Sequence, residues 1–368
     1  MRNTDLSPGW SIEDARDRQG ALRYSNPVTL RHFCVAAAIL IAMCAPPQAR
    51  DQDPALRERV NRVGSDLFSP TPHPAEAIKE LKEILAIAPD LPEAHLLLGV
   101  AYRAQGNPEL MGEAVAELRQ ALALNPELTQ ARMILARIYL DLARPSRARD
   151  ELQVALEKIP NNPQLLTLMA EAERQLGNPK KAVDLSRQVL EIDPKFNQAR
   201  YYLGLALLDL QQTAAAIQEL ERVAASGANP AESNLSLGMA YLETRRFDDA
   251  VRVLREATKA DPSRPEAHLQ LARAYRLKGL LNDAARELKL AAPATSGSLS
   301  ALYQNIETDF FLEQGLLRMA QGNLDTAVQS FEKVLTLDPN HAVAQRSLAE
   351  ARKRLRERAQ KKTPGSSR

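Results

Sequence analysis

From about residue 56 onward the apolar residues recur three and four apart, the spacing that gathers them on one face of an α-helix. Three runs are closely alike: LLLGVAYRAQGN at 96–107, LSLGMAYLETRRF at 235–247 and LQLARAYRLKG at 269–279. Each carries a Leu followed by Gly or Ala, and a Tyr three residues further on. Each is followed by a second amphipathic stretch with an Ala, a large apolar residue four on, and a small or apolar residue three on. No run of alternating β-branched residues suggests a strand. The pattern predicts consecutive pairs of helices and an all-α chain.

The pairs recur at a fixed period. Pro126, Pro160 and Pro194 are each 34 residues apart, and Pro89, Pro262 and Pro339 end further pairs. A 34-residue period with this internal pattern resembles the tetratricopeptide repeat family. That pattern has Leu and Gly or Ala at repeat positions 7 and 8, Tyr at 11, Ala at 20, a bulky residue at 24, a small one at 27 and Pro at 32. Unit 92–128 matches with Leu98, Gly99, Tyr102, Ala114, Leu118, Ala121 and Pro126, and carries three extra residues near 107–112. Unit 129–162 matches with Leu135, Ala136, Tyr139, Ala148, Leu152, Ala155 and Pro160. Units 197–230, 231–264, 265–293 and 308–341 follow, the last with Gly315, Ala327, Phe331, Val334 and Pro339. Unit 163–196 departs from the pattern at Glu173 and Ser186, which predicts looser packing there. A degenerate unit from Leu56 to Pro89 brings the number to eight.

The resemblance implies a right-handed superhelical solenoid of antiparallel helix pairs, spanning 50–341. Within it, Gly or Ala at position 8 lets two helix axes approach. Gly106, Gly177 and Gly279 fall at the turn within a pair, where a left-handed backbone is cheap for Gly. Residues 292–307 interrupt the array. Ser298 there is a candidate cap for an extended helix carrying Leu299, Leu302, Tyr303, Ile306 and Phe310. Residues 342–368 read as a polar capping helix and a disordered basic tail, because the last repeat of an array otherwise exposes its apolar face.

Charge changes the picture at the two ends. Of the 48 Lys/Arg and 46 Asp/Glu, residues 1–49 hold 5 and 4, and residues 350–368 hold 8 and 2. The body between keeps 35 and 40, a net of −5. That sign argues against a nucleic-acid partner. At the other end, residues 33–44 (FCVAAAILIAMC) are apolar and uncharged, after Arg31 and His32. At about 18 Å of helix they are too short to span a bilayer of about 30 Å. Residues 1–49 therefore read as a leader with a signal-peptide-like segment, and the mature chain as exported: periplasmic, or tethered to a membrane and facing the periplasm. The polar stretch 1–27 ahead of it is long for such a leader, which suggests a start at Val28. Cleavage after Ala45 or Ala49 is one reading. The other is a lipobox-like Ile41-Ala42-Met43-Cys44, with a lipid on Cys44. Cys34 and Cys44 are the chain's two cysteines, so loss of the leader removes every thiol.

No chemistry-bearing motif emerges from the repeats. There is no H-E-x-x-H, no phosphate-cradling Gly loop and no G-x-S-x-G. His95 and His268 share repeat position 4, which assigns them to packing rather than to a metal. The chain reads as a non-enzyme without cofactor or metal, whose partners are proteins or peptide segments. In a stack of this kind, first-helix positions 2, 5, 9 and 12 face the concave groove. There Tyr201, Leu205, Leu208, Leu235, Met239 and Leu242 form an apolar stretch, with Arg137 and Arg174 on one side and Arg273 and Arg276 on the other. This predicts a helix or extended peptide with apolar anchors and acidic ends. The family's clamp for a C-terminal carboxylate needs Lys and Asn at positions 5 and 9, and no unit has that combination. A second expectation is a structural or assembly factor of the cell envelope, a homo-oligomer formed through the helix near 298–320 and the end cap.

Overall fold

The computed structural model describes residues 54–292 and 301–362. The leader with Cys44, and Ser298 as a cap, lie outside the described residues. The helices come in consecutive pairs: α1 (Pro54–Leu67) with α2 (Pro74–Ile87), α3 (Pro92–Ala104) with α4 (Met111–Leu124), α5 (Thr129–Asp141) with α6 (Pro145–Lys158). Then come α7 (Pro163–Gln175) with α8 (Pro179–Ile192), α9 (Asn197–Asp209) with α10 (Thr213–Ala225), and α11 (Pro230–Glu243) with α12 (Phe247–Ala260). The array ends with α13 (Pro265–Leu277) and α14 (Leu281–Leu290), α15 (Ala301–Ala320) and α16 (Leu324–Leu337), and the single helix α17 (Ala342–Lys362). The three extra residues of the second unit form a 3-10 turn, Pro108–Leu110. Among the described residues there is no strand.

Local sequence explains where the helices start and stop. Pro at the first helical position opens α2, α3, α6, α7, α8, α11 and α13, where its missing N–H is no loss. The turn inside each pair from α3 onward places repeat position 15 in the left-handed region. Gly fills it at Gly106, Gly177, Gly279 and Gly322, but Ala143, Gln211 and Arg245 adopt the same positive φ of 53 to 60°. From α5 onward, the amide after that residue donates back to the first helix and closes it, as in Arg144 N to Tyr139 O at 2.7 Å and Arg246 N to Tyr241 O at 2.9 Å. Between pairs, an Asn or Asp before the terminal Pro turns the chain: Asn125, Asp193, Asp261 and Asp338 each accept the amide two residues on.

Packing follows the signature positions. A Cβ on Gly99 would lie 2.7 Å from Leu118 Cγ and 3.1 Å from the Ala114 carbonyl, and one on Gly204 would lie 2.8 Å from Leu220 Cγ. Gly238 and Gly315 are closed in the same way by Leu254 and Phe331. The position-24 side chain thus fills the space that a missing methyl leaves, and Leu118, Leu152, Leu220, Leu254 and Phe331 are fully buried. Burial of each is worth about 1.5–3 kcal/mol. At Glu173 the place of the tyrosine is taken by a carboxylate that is 1% exposed. Asn178 Nδ2 and Lys181 Nζ donate to it at 2.9 and 2.6 Å. Ser186 Oγ, the other departure in that unit, is buried with no hydrogen-bond partner.

Each first helix also touches the first helix of the next repeat, while the second helices meet mainly the first helices around them. The first-helix layer is therefore the closer-set, inner one. The first helix of the last pair, α15, has 20 residues against 13 or 14 for its counterparts. The array closes where Leu348 and Ala351 of α17 cover Ala327 and Phe331.

Two substitutions test this account by thermal melting. Gly99→Ala should lower stability by about 1–3 kcal/mol through overpacking against Leu118 and the Ala114 carbonyl. Arg245→Gly should raise stability by up to about 1 kcal/mol, because only the non-Gly residue strains in the left-handed turn.

Candidate protein-binding groove

The inner face is built from the exposed edges of α3, α5, α7, α9, α11, α13 and α15. A polar rung crosses every junction between them. Arg103 on α3 reaches Asp141 on α5 at 3.0 Å, Arg137 on α5 reaches Glu171 on α7 at 2.7 Å, and Arg174 on α7 reaches Asp209 on α9 at 3.0 Å. The Tyr201 hydroxyl on α9 is 3.1 Å from the Ser236 hydroxyl on α11. Glu232 on α11 meets Arg264, the residue before α13, at 3.5 Å. Arg276 on α13 donates twice to Glu313 on α15, at 2.8 and 3.1 Å.

The first two rungs merge into one buried cluster. Burial pushes the Asp141 carboxyl up, against the pull of Arg103 and Arg137. Burial also opposes the charge on Arg137, but Glu171, Tyr202 and Asp141 together outweigh it and hold the guanidinium above its ordinary range. Tyr202 lies against both Glu171 and Arg137, and burial raises its hydroxyl well above the usual phenol value. The cluster is therefore an internal ion network, with its charges compensated by neighbours on the chain.

This placement changes the reading of the groove residues. Arg137, Arg174 and Arg276 hold acids of the next helix, and so are not idle cations waiting for an acidic ligand. Arg273 differs: its side chain is 50% exposed and its contact with Glu313 is long, at 3.7 Å. Of the apolar set, Tyr201, Leu205 and Leu242 are buried between neighbouring helices, and Leu208 and Leu235 are half-buried. Met239 is 44% exposed. The stretch is thus mainly the seam between α9, α11 and α13, with one protruding side chain. The 3.6-residue period could not separate the two, because a residue at position 5, 9 or 12 can lean on the adjacent repeat before it reaches the groove.

Sequence reasoning missed a second recurring device. At repeat position 4, a polar side chain ties three pieces of chain together. His95 Nδ1 is 2.6 Å from Glu117 on the second helix, and its Nε2 is 2.9 Å from the carbonyl of Pro89 in the preceding turn. His268 repeats this with Glu287 at 2.7 Å and Pro262 at 3.1 Å. Arg132 does the same with Glu151 and Pro126, and Arg200 with Glu219 and Pro194. On α17, Gln345 keeps only the bond to the Pro339 carbonyl, at 2.9 Å. Both nitrogens of each histidine face oxygen atoms. The signal was present as a basic residue at position 4 with a Glu 19 to 22 residues on. Leu166, Asn234 and Phe311 occupy position 4 elsewhere, so the clasp is missing between α6 and α7, α10 and α11, and α14 and α15. Among the described residues, no group of three His, Cys, Asp or Glu is placed to hold a metal ion.

His268→Arg should keep the melting temperature near that of the parent, because Arg132 and Arg200 already make the same pair of contacts. His268→Leu should cost about 1–3 kcal/mol by leaving Glu287 and the Pro262 carbonyl unpaired. Acid titration gives a second check. Burial resists the charge on Glu173, but Lys181 and Asn178 prevail and hold its carboxyl below the ordinary 4.5. A depressed carboxyl stabilises the fold above its unfolded value and loses that contribution as pH falls through the folded one. Glu173→Gln should therefore show a smaller fall in melting temperature between about pH 5 and about pH 3.

Comparison with known proteins agrees with the repeat geometry. Sequence profiles described as tetratricopeptide repeat match residues 111–172, 167–232, 235–298 and 309–341. None of the curated proteins compared by sequence matches. Among solved structures, PilF of Pseudomonas aeruginosa is similar with 19% identity and a TM-score of 0.52, over 61% of this chain and 98% of its own. PilW, a type IV pilus biogenesis factor, gives 24% and 0.50 over 60% and 98%. The APC/C hetero-tetramer Cut9–Hcn1 gives 14% and 0.58 over 86% and 58%. At these identities the likeness is one of fold. The profiles, the helix pairing and the closures at position 8 together place this chain in the tetratricopeptide repeat family, whose members are protein-interaction scaffolds.

Proposed function

We propose that this chain is a non-catalytic scaffold that holds a helical or extended segment of a partner protein along its inner face. The observation that carries the reading is Met239, a large apolar side chain left 44% exposed in the middle of a layer whose other apolar residues are largely covered. Half-buried Leu208 and Leu235 lie on the same face, on α9 and α11. An unbranched thioether adapts its shape to an incoming apolar side chain. The exposed guanidinium of Arg273, one repeat further on, would meet an acidic or carbonyl group of the same segment. With the other groove arginines engaged internally, recognition is centred on apolar contact with one cationic contact to the side.

A photo-reactive amino acid at position 239 tests this, with Val154 on the outer layer as the control site. The same cross-linked partner should form from position 239 and not from position 154. Met239→Asp should weaken capture of that partner at least about tenfold, the loss expected for a central anchor, with helicity unchanged. Equal cross-linking from both sites would overturn the assignment. Leu205 is unsuitable for this test, because at 5% exposure its replacement by Asp would disturb the fold.

We also propose that the chain acts outside the cytoplasm, on the strength of the apolar segment 33–44 and its basic flank. Mass spectrometry of the mature chain decides between the forms of export. A start near Arg50 marks a free chain, and a lipid-bearing Cys44 marks a tethered one.

A further inference from the structure

Helix α17 is held to the array by Ala344, Leu348 and Ala351, and Leu355 is its last partly covered residue. Every other described side chain from Arg352 to Gln360 is exposed, yet the helix continues to Lys362. Its last eleven residues therefore extend about 16 Å past the last buried contact. They contain seven Lys/Arg (Arg352, Lys353, Arg354, Arg356, Arg358, Lys361 and Lys362) and one acid, Glu357. Arg352 is paired with Glu332 and Arg354 with Glu350. Among the described residues Lys353, Arg356 and Arg358 form no ion pair. The body that carries this helix has a net charge of −5. The positive charge is thus concentrated on the end of a helix that runs past the repeats of an acidic body.

We infer that the end of α17 docks the protein on an anionic lipid bilayer by contact with headgroup phosphates, without inserting. Three observations favour that surface. Beyond Leu355 the helix has no large apolar residue, so nothing is available to bury among acyl chains, and attraction is left to charge. It also has no aromatic residue on which the bases of a single-stranded nucleic acid would stack. A long duplex lying against the molecule would meet the acidic body, whereas a flat bilayer is reached by the protruding tip first. Each basic residue brought to an anionic surface strengthens attachment about fivefold. The contact depends on neither the groove nor its occupant, so the two proposals stand or fall separately.

Co-sedimentation of the full chain with vesicles tests it. The chain should pellet with vesicles of equal parts phosphatidylglycerol and phosphatidylcholine, and much less with phosphatidylcholine alone. Raising the salt to about 1 M, where the screening length is about 3 Å, should release it. The variant Lys353→Glu, Arg356→Glu, Arg358→Glu should bind the anionic vesicles at least about tenfold more weakly. The corresponding triple Gln variant should fall between, and circular dichroism should show both as helical as the parent. Attachment through the apolar leader would persist in the charge-reversed variant and in high salt. That result would overturn the proposal, as would equal binding to neutral vesicles or binding to duplex DNA in preference to the anionic bilayer.

Discussion

Everything in this molecule depends on how closely two helices can lie within one repeat. The approach is set at repeat position 8, where Gly or Ala leaves room for the position-24 side chain of the second helix. Gly99 against Leu118 and Gly204 against Leu220 show how little room there is: a single added methyl would overlap the leucine. That contact recurs at Gly238 against Leu254 and Gly315 against Phe331, and it fixes the distance between the two layers there. The distance in turn lets the first helices meet their neighbours, and the polar rungs of the inner face become possible only then. Arg137 reaches Glu171, and Arg276 reaches Glu313, because the repeats are stacked at a spacing that small residues allow.

That contact is also what made the fold legible. A Leu–Gly step followed by Tyr, then Ala and a bulky residue four on, is a local signature at a fixed period. It predicted the helix pairs and the turns at Gly106, Gly177 and Gly279, while the separate apolar spacing through Leu302, Ile306 and Phe310 predicted that α15 is longer than its counterparts. Left-handed turns at Ala143, Gln211 and Arg245 were not legible from residue type. There the repeat imposes the conformation that Gly would otherwise supply.

The groove was less legible, for a physical reason. Periodicity gives the face of a helix on which a residue lies, but not how far the next helix leans across that face. Tyr201, Leu205 and Leu242 have groove-facing positions and are nevertheless covered by the adjacent repeat. The pairing of the arginines was hidden in the same way: their partners lie 34 to 37 residues away, one repeat on, and a charge pair at that separation leaves no local trace. Arg273 and Met239 stayed open because their neighbours do not cover them. The position-4 clasp was visible as residues but was assigned to packing, because its third member is a backbone carbonyl that a side-chain pattern does not reveal.

The spacing of those clasps gives the array a mechanical grain. Clasped junctions bind three segments at once: a turn, a first helix and a second helix. Leu166, Asn234 and Phe311 leave three junctions without one, so the chain divides into a block of three repeats, two blocks of two, and a terminal block that includes α17. Stress applied along the solenoid is carried by the whole of a block but concentrated at the seams. The rungs of the inner face still cross those seams, so bending that opens the outer layer meets fewer polar ties there than within a block.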